Sequence, residues 1–319
     1  LTFGMVLLLP KFNDGISLRM ALPVLVSLRS IATGVQIPAV NSAIPQVVSE
    51  DLLMKANGIN STMQSIANFA APAAAGAVRS VMTLRTSMLI DVATAVVGIA
   101  ILSLIFIPHQ LSSGNTAASD FKADVREGLR YSIANRPIGG ILLLYGLFIF
   151  LSIPAGFLAN LFVSRYFGGT YTNLMWVEIV GFGGMLAGGL LMSTWGGFKN
   201  RFRTMASALA LFGIFSILMG LSHNFVLYLA FMLCYSVPLT AFQTATTTIL
   251  QENVAENMQG RIFGLLNSMY SGFLPVGMAL FGPLADHVSL SLLMVVSIAI
   301  LIALSLPLLP QAGSRRTDK

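Results

Sequence analysis

Three charged residues stand inside long apolar runs, and the chemistry open to them defines what the rest of the chain has to serve. Glu178 lies in YTNLMWVEIVGFGGMLAGG, toward the outer third of that run. A carboxylate in such a setting can carry a proton or bind a cation. The alternative is a wet structural carboxylate at the outer mouth, and the sequence leaves both open. Arg29 stands about ten residues into its run, at a depth where an arginine costs roughly 2.5–3.5 kcal/mol. It is expected to face neighbouring helices, with Thr33 and Gln36 following on the same face; snorkelling toward the outer interface is the other reading. Asp91 is expected in the first turn of its helix, where a carboxylate complements the helix dipole, so a structural role comes before proton coupling there.

Uncharged polar residues form stripes around these three. Asn60, Gln64, Asn68, Pro72 and Gly76 recur every four residues, along one face of a helix. Ala67, Ala71 and Ala75 make a neighbouring small-residue ridge on which another helix can pack closely. Thr240, Gln243, Thr244, Thr247 and Gln251 form a second polar face in a run kinked at Pro238, and Tyr145, Ser152 and Asn160 a third. Pro275 kinks a later run, while Gly184 and Gly188 form a G-x-x-x-G pair suited to helix packing. In the loops, Glu50 with Lys55 and Glu252 with Arg261 pair opposite charges at equivalent places, as a gate network or as solvated loop charges.

These residues are carried by membrane helices. Of 319 residues, 55% are hydrophobic and 9% charged, against roughly 25% charged in a soluble domain. Apolar runs at 19–42, 59–79, 86–107, 138–163, 173–194, 203–222, 225–249, 263–282 and 289–309 read as nine complete spans of about 20 residues each. The opening LTFGMVLLL is too short to cross and reads as the stub of a further span. The single cysteine, Cys234, and three scattered histidines offer neither a disulfide framework nor a metal cluster, and no phosphate-binding P-loop occurs. Clustered groups for catalysis are also lacking, so an enzyme is not expected and no cofactor is called for.

The net charge of +6 does not mark a nucleic-acid-binding face, because the basic residues are sorted by loop. Twelve lie on one side of the expected membrane (Lys55, Lys122, Arg126, Arg130, Arg136, Lys199, Arg201, Arg203, Arg261, Arg315, Arg316 and Lys319), against five on the other. The richer side is expected to be cytoplasmic, C-terminus included. The chain divides into a partial first half (1–107), a linker with a short amphipathic helix (108–137), a second half (138–310) and a tail (311–319). A repeat supports the division. PAVNSAIPQVVSEDLLMKANG (38–58) aligns without a gap on TAFQTATTTILQENVAENMQG (240–260), at an offset of 202 residues, so that Asn57 meets Gln259 and Gly58 meets Gly260. The offset implies a parent of six plus six spans.

RSIATGVQIPAVNSAIPQVVSEDLLMKANGINSTMQSIANFAAPAAAGAV resembles the fourth and fifth spans of a major facilitator superfamily drug exporter. FGGMLAGGLLMSTWGGFKNR, ILQENVAENMQGRIFGLLNS and PVGMALFGPLAD are similar to the branch of macrolide-efflux proteins and enterobactin exporters. The chain departs from the superfamily pattern at Ser193, where an aspartate is usual. The resemblance implies an all-α, multi-pass fold in the plasma (inner) membrane, working as a monomer by alternating access. Lipophilic solutes and protons would be its partners, and export its direction. Import, facilitation and a non-transporting scaffold are the other readings. It further implies that Arg29 takes part in proton transfer, and that APAAAGAV is a smooth kinked face on which the halves rock. The Arg29 span and the 138 and 225 spans would line a weakly polar cavity walled by Phe148 and Phe150.

Overall fold

Helix boundaries in the second half follow from a few capping residues. The Thr170 hydroxyl accepts from Asn173 N–H, the Asn200 side chain from Phe202 N–H, and the Asn224 side chain from Val226 and Leu227 N–H. Each satisfies donors that a helix start leaves unpaired. Gly196, at φ 75°, ends a helix in the left-handed conformation that residues with a Cβ avoid, and its N–H returns to Met192 C=O.

The computed structural model describes residues 36–81, 84–104 and 121–305, with Ser30 and Gly34, and gives the backbone alone at 72–81, 84–91, 102, 104 and 121–124. The helices in order are α1 (36–47), α2 (Leu53–Val81), α3 (Leu84–Leu104), α4 (Phe121–Ala134), α5 (Arg136–Leu151), α6 (Ala159–Val163), α7 (Tyr171–Trp195), α8 (Arg201–Gly220), α9 (Phe225–Asn253), α10 (Glu256–His287) and α11 (Leu290–Ser305). No strand occurs among the described residues. Four of these helices (α7, α8, α9 and α10) are long and apolar enough by length and composition to cross a membrane, or five if the bent pair α4–α5 is counted as one span. Nine spans are therefore not established. The stub and Arg29, Thr33 and the tail lie outside the described residues.

Two expectations change. The 138–163 run is not one continuous helix, because α5 stops at Leu151 and helix resumes only at Ala159. The intervening SIPAGFL contains Pro154, which has no N–H to donate, and Gly156, which is poor at holding helix. A π-turn, Ser164–Gly168, then ends the segment. Asp91 stands at the eighth residue of α3, which begins at Leu84, and not in its first turn. The dipole argument, which fades beyond the first turn, does not reach it.

Packing is inside-out at the surface. Leu190, Leu211, Ile214, Val226, Val276, Leu280, Leu292 and Val296 are exposed, as helices bordering lipid require. The core of the second half is aromatic: Phe148 is fully buried, with its ring centroid 4.2 Å from Phe242 and 4.8 Å from Phe212. Phe162 stacks on Tyr228 at 5.2 Å. Within this half α9 packs along α8 and α7, α11 on α8, and α10 on α5. The first half meets the second through α2, which runs along α7 and touches α9.

Candidate functional site: a cavity behind a polar seam

The α2–α7–α9 contact depends on glycines facing two ways. A Cβ on Gly188 would sit 2.7 Å from Val237 C=O and 2.9 Å from the Thr240 side chain, so this face of α7 is pressed onto α9. One residue on, a Cβ on Gly189 would lie 2.8 Å from Thr62 N, so the adjoining face is pressed onto α2. Gly58 of α2 returns the contact against the backbone of Met192 and Ser193. Gly184 makes the same approach to Ser236 and Leu233, as expected of the G-x-x-x-G pair. Close backbone approach leaves no room for water, and that is what a seal between halves requires.

Polar groups stitch the same region. Asn57 Nδ2 donates to Gln251 Oε1 at 2.5 Å and to Thr248 Oγ1 at 2.9 Å. Gln251 Nε2 in turn donates to Asn41 C=O at 2.8 Å, and the Ser61 and Thr244 hydroxyls meet at 3.1 Å. Gln259 Nε2 donates to Gln251 C=O at 3.2 Å. Asn57 and Gln259, matched by the repeat, thus converge on one residue. Each also keeps a buried amide oxygen with no partner among the described residues. Such an oxygen costs about 1–3 kcal/mol.

The charged loop residues do not form this seam. Arg201 Nε donates to Glu252 at 3.1 Å, with the Glu252 side chain 4% exposed, and Arg201 Nη1 donates to Gly196 C=O at 3.0 Å. Arg261 pairs with Glu127 of α4 at 3.2 Å. Both ties lie on the linker–second-half side. Glu50 is exposed, and Lys55, also exposed, runs beside Gly196.

Beyond the seam, on the side away from the linker, lies a cavity of about 410 Å³. The order is the same on all three helices: α2 gives Asn57 to Thr62 to the seam and Asn68 to the cavity, α7 gives Gly189 to Ser193 and then Val177 to Met185, and α9 gives Thr244 to Gln251 and then Met232 to Gln243. Phe157, Phe182, Tyr235, Tyr270, Met185 and Met232 supply much of the wall. Among the described residues its one carboxylate is Glu178, whose Oε1 accepts from Asn160 Nδ2 at 3.0 Å. Asn160 sits in α6, directly after the 152–158 break, so the hydrogen bond ties the displaced short helix to α7.

Of the residues singled out from the sequence, the structure gathers Asn68, Ser152, Asn160, Glu178, Gln243 and Phe148 at the cavity. Asn41 and Thr244 go to the seam. Thr240 is buried and donates to Met185 and Ser236 carbonyls. Phe150 faces away, against Phe273 and Phe281 of α10, and Tyr145 is half-buried and not part of the cavity wall. Gln36 and Gln64 are exposed and Asn60 half-buried. Pro238 is buried inside α9 and Pro275 exposed inside α10; Pro72 and Gly76 lie within α2. The break and Ser61 were not singled out, and Asn57 was marked only as the repeat match of Gln259; Pro154 and Gly156 carried a signal for the break, and nothing in the sequence distinguished Ser61.

The described helices thus set a cavity beside a close-packed, hydrogen-bonded seam between α2, α7 and α9. The chain belongs to the Major Facilitator Superfamily, whose family model matches residues 1–278. It is 28% identical over 266 residues to macrolide efflux protein A of Streptococcus pyogenes, covering 83% of this chain and 66% of that protein. Against macrolide efflux protein A of Enterococcus faecalis it is 28% identical over 253 residues, 79% of this chain and 78% of that protein. The chain thus spans just under two thirds of the length of the streptococcal relative. The crystal structure of a bacterial homologue of the iron transporter ferroportin in an outward-facing state has the same fold, with a TM-score of 0.71 at 17% identity over 88% of this chain and 70% of that one. The chain is a multi-pass membrane protein of a transporter superfamily.

Proposed function

We propose that this chain is the cavity-bearing and gating part of a secondary exporter that moves lipophilic small molecules by alternating access, driven by inward proton flow. The observation that carries the reading is the cavity itself: aromatic and methionine walls, one carboxylate held by Asn160, and a sealed seam on the linker side. Such walls take up an apolar solute of varied shape, because methionine and aromatic side chains adapt to what they touch. In this reading the excess of basic loop residues supports a cytoplasmic linker side at the plasma membrane, and the close-packed seam on that side supports an outward-facing arrangement. Glu178 is the proton carrier in this scheme, with Asn160 reporting its charge state to α6.

Macrolides are the first solutes to try, since the relatives named above are macrolide efflux proteins. The test is accumulation of a labelled macrolide and of a lipophilic dye in cells expressing the whole reading frame, with and without a protonophore. Export predicts low accumulation that rises to the level of empty cells when the proton gradient collapses. Accumulation that is unchanged by expression, or raised by it, would overturn the export reading.

A further inference from the structure

The linker helix α4 is not spent on the transport path, and its surface is organised. Val125, Leu129 and Ile133 are 39%, 42% and 78% exposed and recur every four residues, about 40° apart around the helix. Gly128 and Ser132, on the neighbouring face, are buried. Gly128 lies over Arg261 of α10, Glu127 pairs with that arginine at 3.2 Å, and Tyr131 Oη accepts from Ala255 N–H at 3.3 Å. The helix is therefore fixed to the bundle by one side while an apolar stripe looks away from it. Arg126 and Arg130, both exposed, run beside the stripe, and Arg136 follows at the bend.

The orientation says what the stripe meets. The axis of 125–134 turns through 113° into α5. With α5 along the membrane normal, α4 lies within about 25° of the membrane plane, a geometry expected of an interfacial helix and not of a spanning one. An apolar stripe flanked by arginines at that level matches the boundary between acyl chains and headgroups. The stripe enters the hydrocarbon edge, and the guanidinium groups reach phosphate oxygens.

We propose that α4 is a membrane-surface helix that seats Val125, Leu129 and Ile133 in the bilayer boundary and binds anionic lipid headgroups through Arg126 and Arg130. Each arginine near an anionic surface strengthens attachment about fivefold, so lipid charge sets how fully the helix is seated. The occupant is the bilayer: the stripe is three residues long, the flank is basic, and Glu127, the acidic residue of this helix whose side chain is described, is matched to Arg261.

The test replaces Cys234, the single cysteine of this sequence, by serine, with any cysteine elsewhere in the reading frame, and places an environment-sensitive fluorophore on Leu129→Cys or, as a water-facing control about 140° around the helix, on Ala134→Cys. The protein, expressed from the whole reading frame, is placed in nanodiscs of phosphatidylcholine alone or with phosphatidylglycerol. Quenching is read from a nitroxide on the lipid chain and from a soluble nickel chelate. The expected result is several-fold stronger lipid quenching at 129 than at 134, the reverse order for the chelate, and a rise at 129 with phosphatidylglycerol that Arg126→Gln with Arg130→Gln removes. Equal chelate quenching at both sites would overturn the proposal, as would protection of 129 from both quenchers, which would mean that a protein segment covers the stripe. Lack of a phosphatidylglycerol effect would overturn the headgroup recognition. Size-exclusion profiles identical to the unlabelled protein show that the variants fold.

Discussion

Asn57 of the first half donates to Gln251 of the second at 2.5 Å, across a contact sealed by glycines on both sides. The bond is buried and uncharged, which suits the joint that the proposed alternating-access cycle would make and break. A buried ion pair is costly to separate into a dry interface, whereas an amide pair exchanges for other amide or water partners at a cost of about 1 kcal/mol. The orphaned oxygens of Asn57 and Gln259 lean the same way, since opening the seam would let water reach them.

Asn57→Ala is expected to shift the population away from the sealed arrangement by about 1–3 kcal/mol, a factor of about 5 to 150. A cysteine pair at Ser61 and Thr244, whose hydroxyls are 3.1 Å apart, reports it. Cross-linking of that pair should slow in the Asn57→Ala background, and an unchanged rate would show that the amide does not hold the seam.

Gly189→Ala and Gly188→Ala should fail differently, although the residues are adjacent. Gly189 faces Thr62 of the other half, so its methyl group holds the halves apart and lowers Ser61–Thr244 cross-linking. Gly188 faces Val237 within the second half, so its methyl group destabilises the fold by about 1–3 kcal/mol, seen as a lower thermal midpoint in detergent. Gly183→Ala, with nothing within 4 Å of the added carbon, is the neutral control.

Glu178→Gln is expected to abolish export against a gradient while leaving substrate binding within about threefold, because the amide keeps the size of the carboxylate but cannot carry a proton. Asn160→Leu removes the donor to Glu178 and should lower transport while binding persists. Phe157→Ala, at a partly exposed cavity wall, should change which solutes are bound and leave the thermal midpoint alone. Equilibrium binding and transport measured on the same preparations separate these outcomes.

Phe148→Ala should cost about 3–5 kcal/mol. The ring is fully buried and touches Phe212 and Phe242, so its loss opens a cavity that two other large rings cannot refill without leaving their rotamers. A fall in the detergent-solubilised thermal midpoint, far larger than that of Phe157→Ala, is the expected reading.

Much of the fold was legible because lipid leaves few options. A run of about 20 apolar residues must satisfy its backbone internally, and this makes it a helix wherever it lies in the sequence. Helices α7, α8, α9 and α10 accordingly fall within a few residues of their expected spans, apart from longer ends on α9 and α10. The break at 152–158 was harder to read, because proline and glycine are common in membrane helices that stay whole, as Pro238 does within α9. Asn160 and Glu178 were each legible as polar residues in oily runs, but not as a pair, since they belong to different helices.

By itself the sequence determined the class: a low-charge chain of membrane helices, with an internal repeat and polar stripes that a scaffold has no use for. Those properties are local or periodic, and a string of residues displays them. Which stripe faces the cavity and which the seam depended on rotation and depth, and only the packing of α2 against α7 and α9 set them. Gln243 and Thr244 are neighbours in sequence, yet one lines the cavity and the other meets Ser61 across the halves. A 100° step around a helix separates those two destinations, and the step acquires meaning only when another helix stands opposite.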